Sequence, residues 1–150
     1  MKNKTIRIIV ILAIIVVILD QVSKIVIGNL FQETWGNDYF KIEITTNTGM
    51  AFGFNDGNIK NIFLTIVVLA MIISFIKRQV EQIDTKTAVS LGMILGGGFG
   101  NLIDRFFRNG VFDFIKIFKF PNFNVADIFV VTGWILLVAF LAIFTKKCND

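Results

Sequence analysis

Asp20, Lys24, Asp104, Arg105, Asp113 and Asp127 are the ionisable residues that stand in or beside apolar segments of this 150-residue chain. A charge near the bilayer centre costs at least roughly 2.5–3.5 kcal/mol, so residues of this kind have a partner or a task. Histidine is absent. That removes the Ser/His/Asp and Cys/His nucleophile arrangements, the HExxH zinc site and the usual neutral-pH acid/base. The single cysteine, Cys148, has no second thiol for an intrachain disulfide or a CxxC redox or metal pair. Acid–base chemistry is therefore left to carboxylates, lysine or tyrosine.

Asp113 lies between phenylalanines in "VFDFI", in an apolar segment with no helix start to cap. Burial there, and any nearby carboxylate, raises its pKa. Asp127, in "PNFNVADIF", falls in the first turn of a helix if Asn124 or a neighbour caps it, and the helix dipole then favours its ionised form. Asp127 thus has two readings, an ordinary helix-start aspartate or a chemical one. Two aspartates in divergent environments can divide acid and base roles, and without histidine this is the one dyad on offer for hydrolysis. Nothing in the sequence itself brings the two together. Asp20 and Lys24, four apart with the acid first, share a helix face in the favourable order for an ion pair, which reads as structural neutralisation or as a direct role.

The elements that must hold these residues are membrane helices. The chain is 55% hydrophobic and only 17% charged, with a mean hydropathy of +0.73 and one proline; soluble domains carry about 25% charged residues. One integral membrane domain over residues 1–150 is expected, mainly α, with helices at about 6–27, 61–76, 87–106 and 125–145 and a small extracytoplasmic β-sheet or interfacial segment. The first span has the alternative of a cleaved signal peptide, but no small-x-small site follows it and apolar character resumes beyond Asp20. Lys2, Lys4, Arg7, Lys77, Arg78, Lys86, Lys146 and Lys147 collect on one side against Glu81, Asp84 and Asp150, a balance of +5 within a net +4. The positive-inside rule then puts both termini in the cytoplasm. Topology accounts for the basic pI of about 9.4, and nucleic acid is set aside as a partner.

Outside the spans, Tyr39 to Thr46 alternates Phe40, Ile42 and Ile44 with polar residues, the period of a half-buried strand. Asn47-Thr48-Gly49 supplies a turn before a second apolar stretch, Met50 to Phe54. Phe112 to Phe120 alternates similarly, which predicts Phe112, Phe114, Phe118 and Phe120 on one face at the membrane interface. Gly92, Gly96 and Gly100 form a small-residue stripe on the third helix, against which another backbone can pack. Gly97, Asn101 and Arg105 run along an adjacent line toward the outer surface. Asp104 is expected as the local partner of Asn101 and Arg105, and Arg108 as an interfacial cation whose stem reaches water.

Five ordered segments, "DQVSK" (Asp20 to Lys24), "NTGMAFGF" (Asn47 to Phe54), "GGGFGNLIDR" (Gly96 to Arg105), "VFDF" (Val111 to Phe114) and "FNVAD" (Phe123 to Asp127), resemble the signature segments of the lipoprotein signal peptidases, the signal peptidase II family. The resemblance implies a membrane aspartyl endopeptidase of the bacterial cell membrane with Asp113 and Asp127 as the catalytic pair. It implies a substrate, a prolipoprotein already carrying diacylglyceryl on its lipobox cysteine, cut just before that cysteine. Asp20, Lys24, Asn47, Gly49, Asn101, Arg105, Asn124 and Ala126 fall on positions read in the family as supporting the dyad or holding substrate. No metal or organic cofactor is implied; membrane lipid and globomycin-type inhibitors are the other expected partners, and the working form is expected to be a monomer. The competing readings are a small non-enzymatic transporter or channel subunit packed through the glycine stripe, which gives Asp113 and Asp127 no joint role, and a structural partner for another membrane protein.

Overall fold

Helix α3, Thr85–Phe107, is the element on which the others assemble. It packs along α1 (Lys2–Leu30) on one side and α4 (Val125–Asn149) on another, with α2 (Asn58–Gln79) alongside. Strands β1 (Trp35–Gly36), β2 (Phe40–Asn47) and β3 (Val111–Ile117) form an antiparallel sheet in the order β1-β2-β3. The computed structural model describes residues 2–49 and 58–149, with side-chain surroundings over 2–49 and 59–140. The apolar stretch Met50 to Phe54 and the side chain of Cys148 lie outside what is described. The helices run a turn or so beyond the apolar runs that mark them in the sequence, because polar ends such as Lys2 to Thr5 and Lys77 to Gln79 continue the backbone hydrogen bonding.

Local signals fix the ends. Asp84 caps α3, its carboxylate accepting from Thr87 N at 2.9 Å, worth about 1 kcal/mol. The helix stops where Asn109 turns left-handed at φ 57°, a conformation asparagine tolerates. α2 closes on Lys77 and Arg78, cations suited to the negative end of a helix dipole.

The glycine stripe meets α1. A Cβ on Gly96 would lie 2.6 Å from Val16 Cβ and 2.8 Å from the Ala13 carbonyl, so the two backbones approach as only glycine allows. Gly97, one residue on, faces Ala126 and Val130 of α4. Ile9, Leu69, Ile76, Ile83, Ala88, Leu91 and Leu95 form the packed core between α1, α2 and α3. Outward-facing positions are apolar too: Ile11, Ile18 and Ile25 of α1, Phe63 and Met71 of α2, and Val131, Ile135 and Val138 of α4 are all exposed. A continuous apolar exterior of this extent marks a surface made for something other than water. Lys2–Leu30 and Ile59–Gln79 are each long and apolar enough to cross a membrane.

Two expectations about the sheet change. β2 forms, but its apolar side is not packed into protein, since Phe40 and Ile44 are exposed. The Phe112 to Phe120 alternation breaks at Phe118, which takes φ 47° and ends β3 at Ile117. Phe118 stacks on Tyr39 instead of continuing the strand face.

Candidate active site

β3 fixes Asp113 and the start of α4 fixes Asp127. One bulge in β2 sets the register. Phe40, Lys41 and Ile42 pair with Ile117, Lys116 and Ile115, but beyond the bulge Thr45 stands opposite Asp113 and Asn47 opposite Val111. The extra residue re-aims the end of β2 so that Asn47, diagonal to Asp113 on the same face, donates its Nδ2 to Asp113 Oδ2 at 3.3 Å. The Asn47 carbonyl oxygen of the side chain accepts from Gly49 N at 3.0 Å, the turn expected at Asn47-Thr48-Gly49.

Phe123 then pairs back onto β3, exchanging hydrogen bonds with Ile115 at 2.9 and 3.0 Å. This places Asn124 beside Asp113. Asn124 Oδ1 accepts from Asp127 N at 2.9 Å while Asp127 Oδ2 accepts from Asn124 N at 3.2 Å, a reciprocal capping box that starts α4. The Asn124 amide group donates to Asp113 Oδ1 at 2.7 Å and to Asn101 Oδ1 at 3.0 Å, and Asn101 Nδ2 donates to Asp127 Oδ1 at 2.7 Å. Asp113, Asn124, Asn101 and Asp127 thus form one hydrogen-bonded chain joining both carboxylates. Both aspartates line a single open cavity of about 690 Å³ together with Asn47, Asn101, Arg105 and Val131. Arg105 Nη1 also donates to the Asn101 carbonyl at 3.3 Å.

Asp113 is only 2% exposed. Burial first, and then the Asp127 carboxylate, push it up to about 7, against the opposing bonds from Asn47 and Asn124. Asp113 accordingly holds a proton at pH values where an exposed aspartate is ionised.

Behind the cavity lies a second cluster. Lys24 Nζ sits 2.7 Å from Asp20 Oδ2 and 2.6 Å from Asp104 Oδ2, and all three side chains are fully buried. Asp104 also accepts from Arg108 and from Gln21, and Gln21 bridges to Asp20, to Arg108 and to the Gly100 carbonyl. Asp20 Oδ1 accepts from the backbone N–H of Ala126 at 2.9 Å, and Asp104 Oδ2 from that of Phe112 at 3.0 Å. Ala126 and Phe112 each immediately precede one of the two cavity aspartates. Lys24, bonded to both acids, therefore ties the two backbone positions to one point.

The Asp20–Lys24 pair is present as expected, with Asp104 as a second counter-ion. Asp104 is bonded to Lys24, Arg108 and Gln21, partners beyond the expected Asn101 and Arg105, because it projects from the α1-facing line of α3. Arg108 is not simply interfacial; it is held by Asp104 and Gln21. Sequence reasoning missed Gln21 and Asn122, whose Nδ2 donates to the Glu43 carbonyl at 3.0 Å and to Thr45 Oγ1 at 3.2 Å, pinning the segment before α4 to β2. A signal for Asp104 and Arg108 did exist: they continue the Gly92, Gly96, Gly100 spacing by two further steps of four.

Residues 12–143 match the family model described as signal peptidase (SPase) II. The chain belongs to the signal peptidase II family. The lipoprotein signal peptidase of Chlamydia felis is 35% identical over 147 residues, covering 87% of this chain and 89% of its own length. That of Dehalococcoides mccartyi is 36% identical, covering 89% and 88%. A bacterial membrane enzyme solved by the in meso method superposes with a TM-score of 0.79 at 28% identity, over 95% of this chain and 90% of the other. A second such structure gives 0.75 at 30%, over 89% and 91%. The cavity between β3 and the start of α4 holds two carboxylates joined through the amides of Asn124 and Asn101. Among the described residues of this signal peptidase II, no three His, Cys, Asp or Glu side chains gather into a group able to hold a metal.

Proposed function

We propose that Asp113 and Asp127 are the catalytic dyad with which this chain cleaves signal peptides from prolipoproteins. The activity class, that of an aspartic endopeptidase acting on prolipoproteins, follows from membership in the family. The observation that carries the residue assignment is the chain of short hydrogen bonds through Asn124 and Asn101 that joins the two carboxylates at one cavity.

The chemistry divides between them. Asp113, with its raised affinity for a proton, hydrogen-bonds and polarises the scissile carbonyl oxygen, while Asp127 takes a proton from the attacking water. Water oxygen bonds the carbonyl carbon, the Asp113 proton passes to the carbonyl oxygen, and a tetrahedral diol forms. On collapse, Asp127 returns its proton to the leaving amine nitrogen and Asp113 recovers one from a diol hydroxyl. The C–N bond breaks and the dyad is back in its starting state. Such a pair titrates as a unit. Asn101 and Arg105, on the α3 wall of the cavity, have the donors to fix the substrate backbone.

The substrate is a precursor bearing diacylglyceryl on the cysteine after the scissile bond. The apolar flank of the cavity, with Ile128, Val130 and Val131, suits acyl chains, and globomycin-type inhibitors would compete for the same space. All four helices span the bacterial cell membrane, with both termini cytoplasmic and the dyad near the outer face. The apolar exterior and the collection of Lys77, Arg78 and Lys86 at the opposite end from the sheet support that orientation. The single domain works as a monomer, since both aspartates and the bonds holding them come from one chain.

The test is cleavage, in detergent, of one precursor prepared with and without diacylglyceryl. Release of the signal peptide from the lipidated form, undiminished by a metal chelator, is expected. Equal cleavage of the unlipidated form would overturn the substrate assignment, and loss of activity on chelation would overturn the metal-free mechanism.

A further inference from the structure

A second cavity lies on the other side of α3 from the dyad. About 830 Å³ in volume, it is an open groove between α1, α2 and α3, walled by Ile6, Val10, Ile14, Ile73, Leu95 and Phe99 and carrying Lys2 and Lys77 at one end. It shares no residue with the dyad's cavity. Leu95, Phe99 and Ile103 face it, whereas Asn101 and Arg105, two positions away on the helix, face the dyad; steps of two put residues on opposite sides of an α-helix. Among the described residues, neither Lys2 nor Lys77 has an ion-pair partner, and no acidic residue lines the groove.

We propose that this groove binds an anionic phospholipid of the leaflet on the Lys77 side, its acyl chains along the groove and its phosphate between Lys2 and Lys77. Three features fix the occupant. Two cations stand at the mouth of a wall that is otherwise apolar, the charge pattern complementary to a negative headgroup on hydrocarbon. On α1 the groove runs from Lys2 to Ile18, roughly 24 Å at 1.5 Å per residue, close to the half-thickness of a bilayer with its headgroups, roughly 20–22 Å. A signal peptide is a poor occupant, since its positively charged leading segment would meet Lys2 and Lys77. The groove ends at Ile18 and Ile103, next to Asp20 and Asp104, so a lipid seated there supports the helix pair that carries the buried ion cluster.

The experiment measures thermal unfolding of the full chain in a nonionic detergent with added dioleoylphosphatidylglycerol or dioleoylphosphatidylcholine, and lipid retention by native mass spectrometry. Phosphatidylglycerol is expected to raise the midpoint by about 5 °C more than phosphatidylcholine, the shift of a ligand well above its Kd on a domain of this size. One retained phosphatidylglycerol per chain is expected. The double variant K2Q/K77Q should lose that preference while cleaving precursor at the ordinary rate. The variant Ile14→Trp, which fills the groove, should lose retention of both lipids. Equal shifts from both lipids in the unaltered protein, or a preference that survives K2Q/K77Q, would overturn the proposal. So would displacement of the retained lipid by a synthetic signal peptide, which would make the groove a peptide site. An inactive Asp113→Asn protein should retain lipid as before, so the dyad assignment and this one fail separately.

Discussion

Two pairs of aspartates sit within a few residues of each other in this fold, and their partners separate their tasks. Asp20 and Asp104 are fully buried against Lys24, with Arg108 closing the cluster, so their charges are matched. Asp113 and Asp127 are hydrogen-bonded by the neutral amides of Asn47, Asn124 and Asn101, and Arg105 lines the same cavity. A cation locks protonation; an amide leaves it free to change. The first pair is suited to construction and the second to proton transfer. The two are joined, because Asp20 and Asp104 each accept the backbone N–H just before one of the cavity aspartates.

The largest contrast is expected from near-isosteric substitution in the proposed dyad. Asp113→Asn and Asp127→Asn should each lower cleavage of a lipidated precursor by about 10⁴-fold or more, as the loss of one member of a catalytic unit does, with unfolding temperature in detergent unchanged or raised. Substantial cleavage by either variant would end the dyad assignment.

The reverse pattern is expected next. Lys24→Met removes the cation shared by two buried carboxylates, and breaking such a pair from one side costs roughly 3–5 kcal/mol. Thermal or denaturant unfolding should show that loss, and a variant as stable as the original protein would mean that the cluster holds nothing together. Restoring neutrality with Asp20→Asn in the Lys24→Met background should recover part of it, because Asp20 is the carboxylate left without its cation whereas Asp104 keeps Arg108.

These roles were legible in the sequence to different depths. Four helices and a strand at Phe40 followed from hydrophobic period, since period depends only on neighbours along the chain. Asp113 stood out by the same logic, a carboxylate in an apolar run with no cap to make. Asp127 could not be separated from an ordinary helix-start residue, and in the structure it caps with Asn124 through one oxygen and bonds Asn101 through the other. Lys24 and Arg108 were missed as partners of Asp104 because adjacency in sequence is the wrong neighbourhood on a helix. Four-residue spacing puts Asp104 on the line with Gly100 and Arg108, and its partner Lys24 lies 80 residues earlier. Asn122 and Gln21 carried no signal, because their bonds depend on a bulge and on a helix contact that period alone does not fix.

A smaller effect distinguishes the pairs by pH. Asp113, raised to about 7, keeps its proton in the folded protein from about pH 4, where the unfolded carboxyl loses it. Over that window the folded state binds more protons, so its stability falls as pH rises and the loss is complete above about pH 7. The total is on the order of 4 kcal/mol, and Asp113→Asn should abolish that slope. In the proposed mechanism the same proton is donated to the scissile carbonyl, so kcat/KM should fall above about pH 7, approaching tenfold per unit. A profile flat to pH 9 would show that Asp113 is not the acid.

The smallest expected effect tests whether the two clusters share their support. Gly96→Ala sets a methyl 2.6 Å from Val16 Cβ and 2.8 Å from the Ala13 backbone carbonyl, and neither can yield without moving α1. Overpacking of this kind costs about 1–3 kcal/mol. Gly98→Ala, two residues along the same helix, meets the end of the Leu69 side chain, which can rotate away, so its cost should stay under about 1 kcal/mol. If α1 carries Asp20 and Lys24 and these in turn hold the backbone before Asp113 and Asp127, then Gly96→Ala should also reduce kcat more than its stability loss accounts for. Measured at a temperature where both variants are folded, a drop in kcat for Gly96→Ala but not for Gly98→Ala would place the α1 contact in the path that aligns the dyad. Equal kcat values would confine Gly96 to packing.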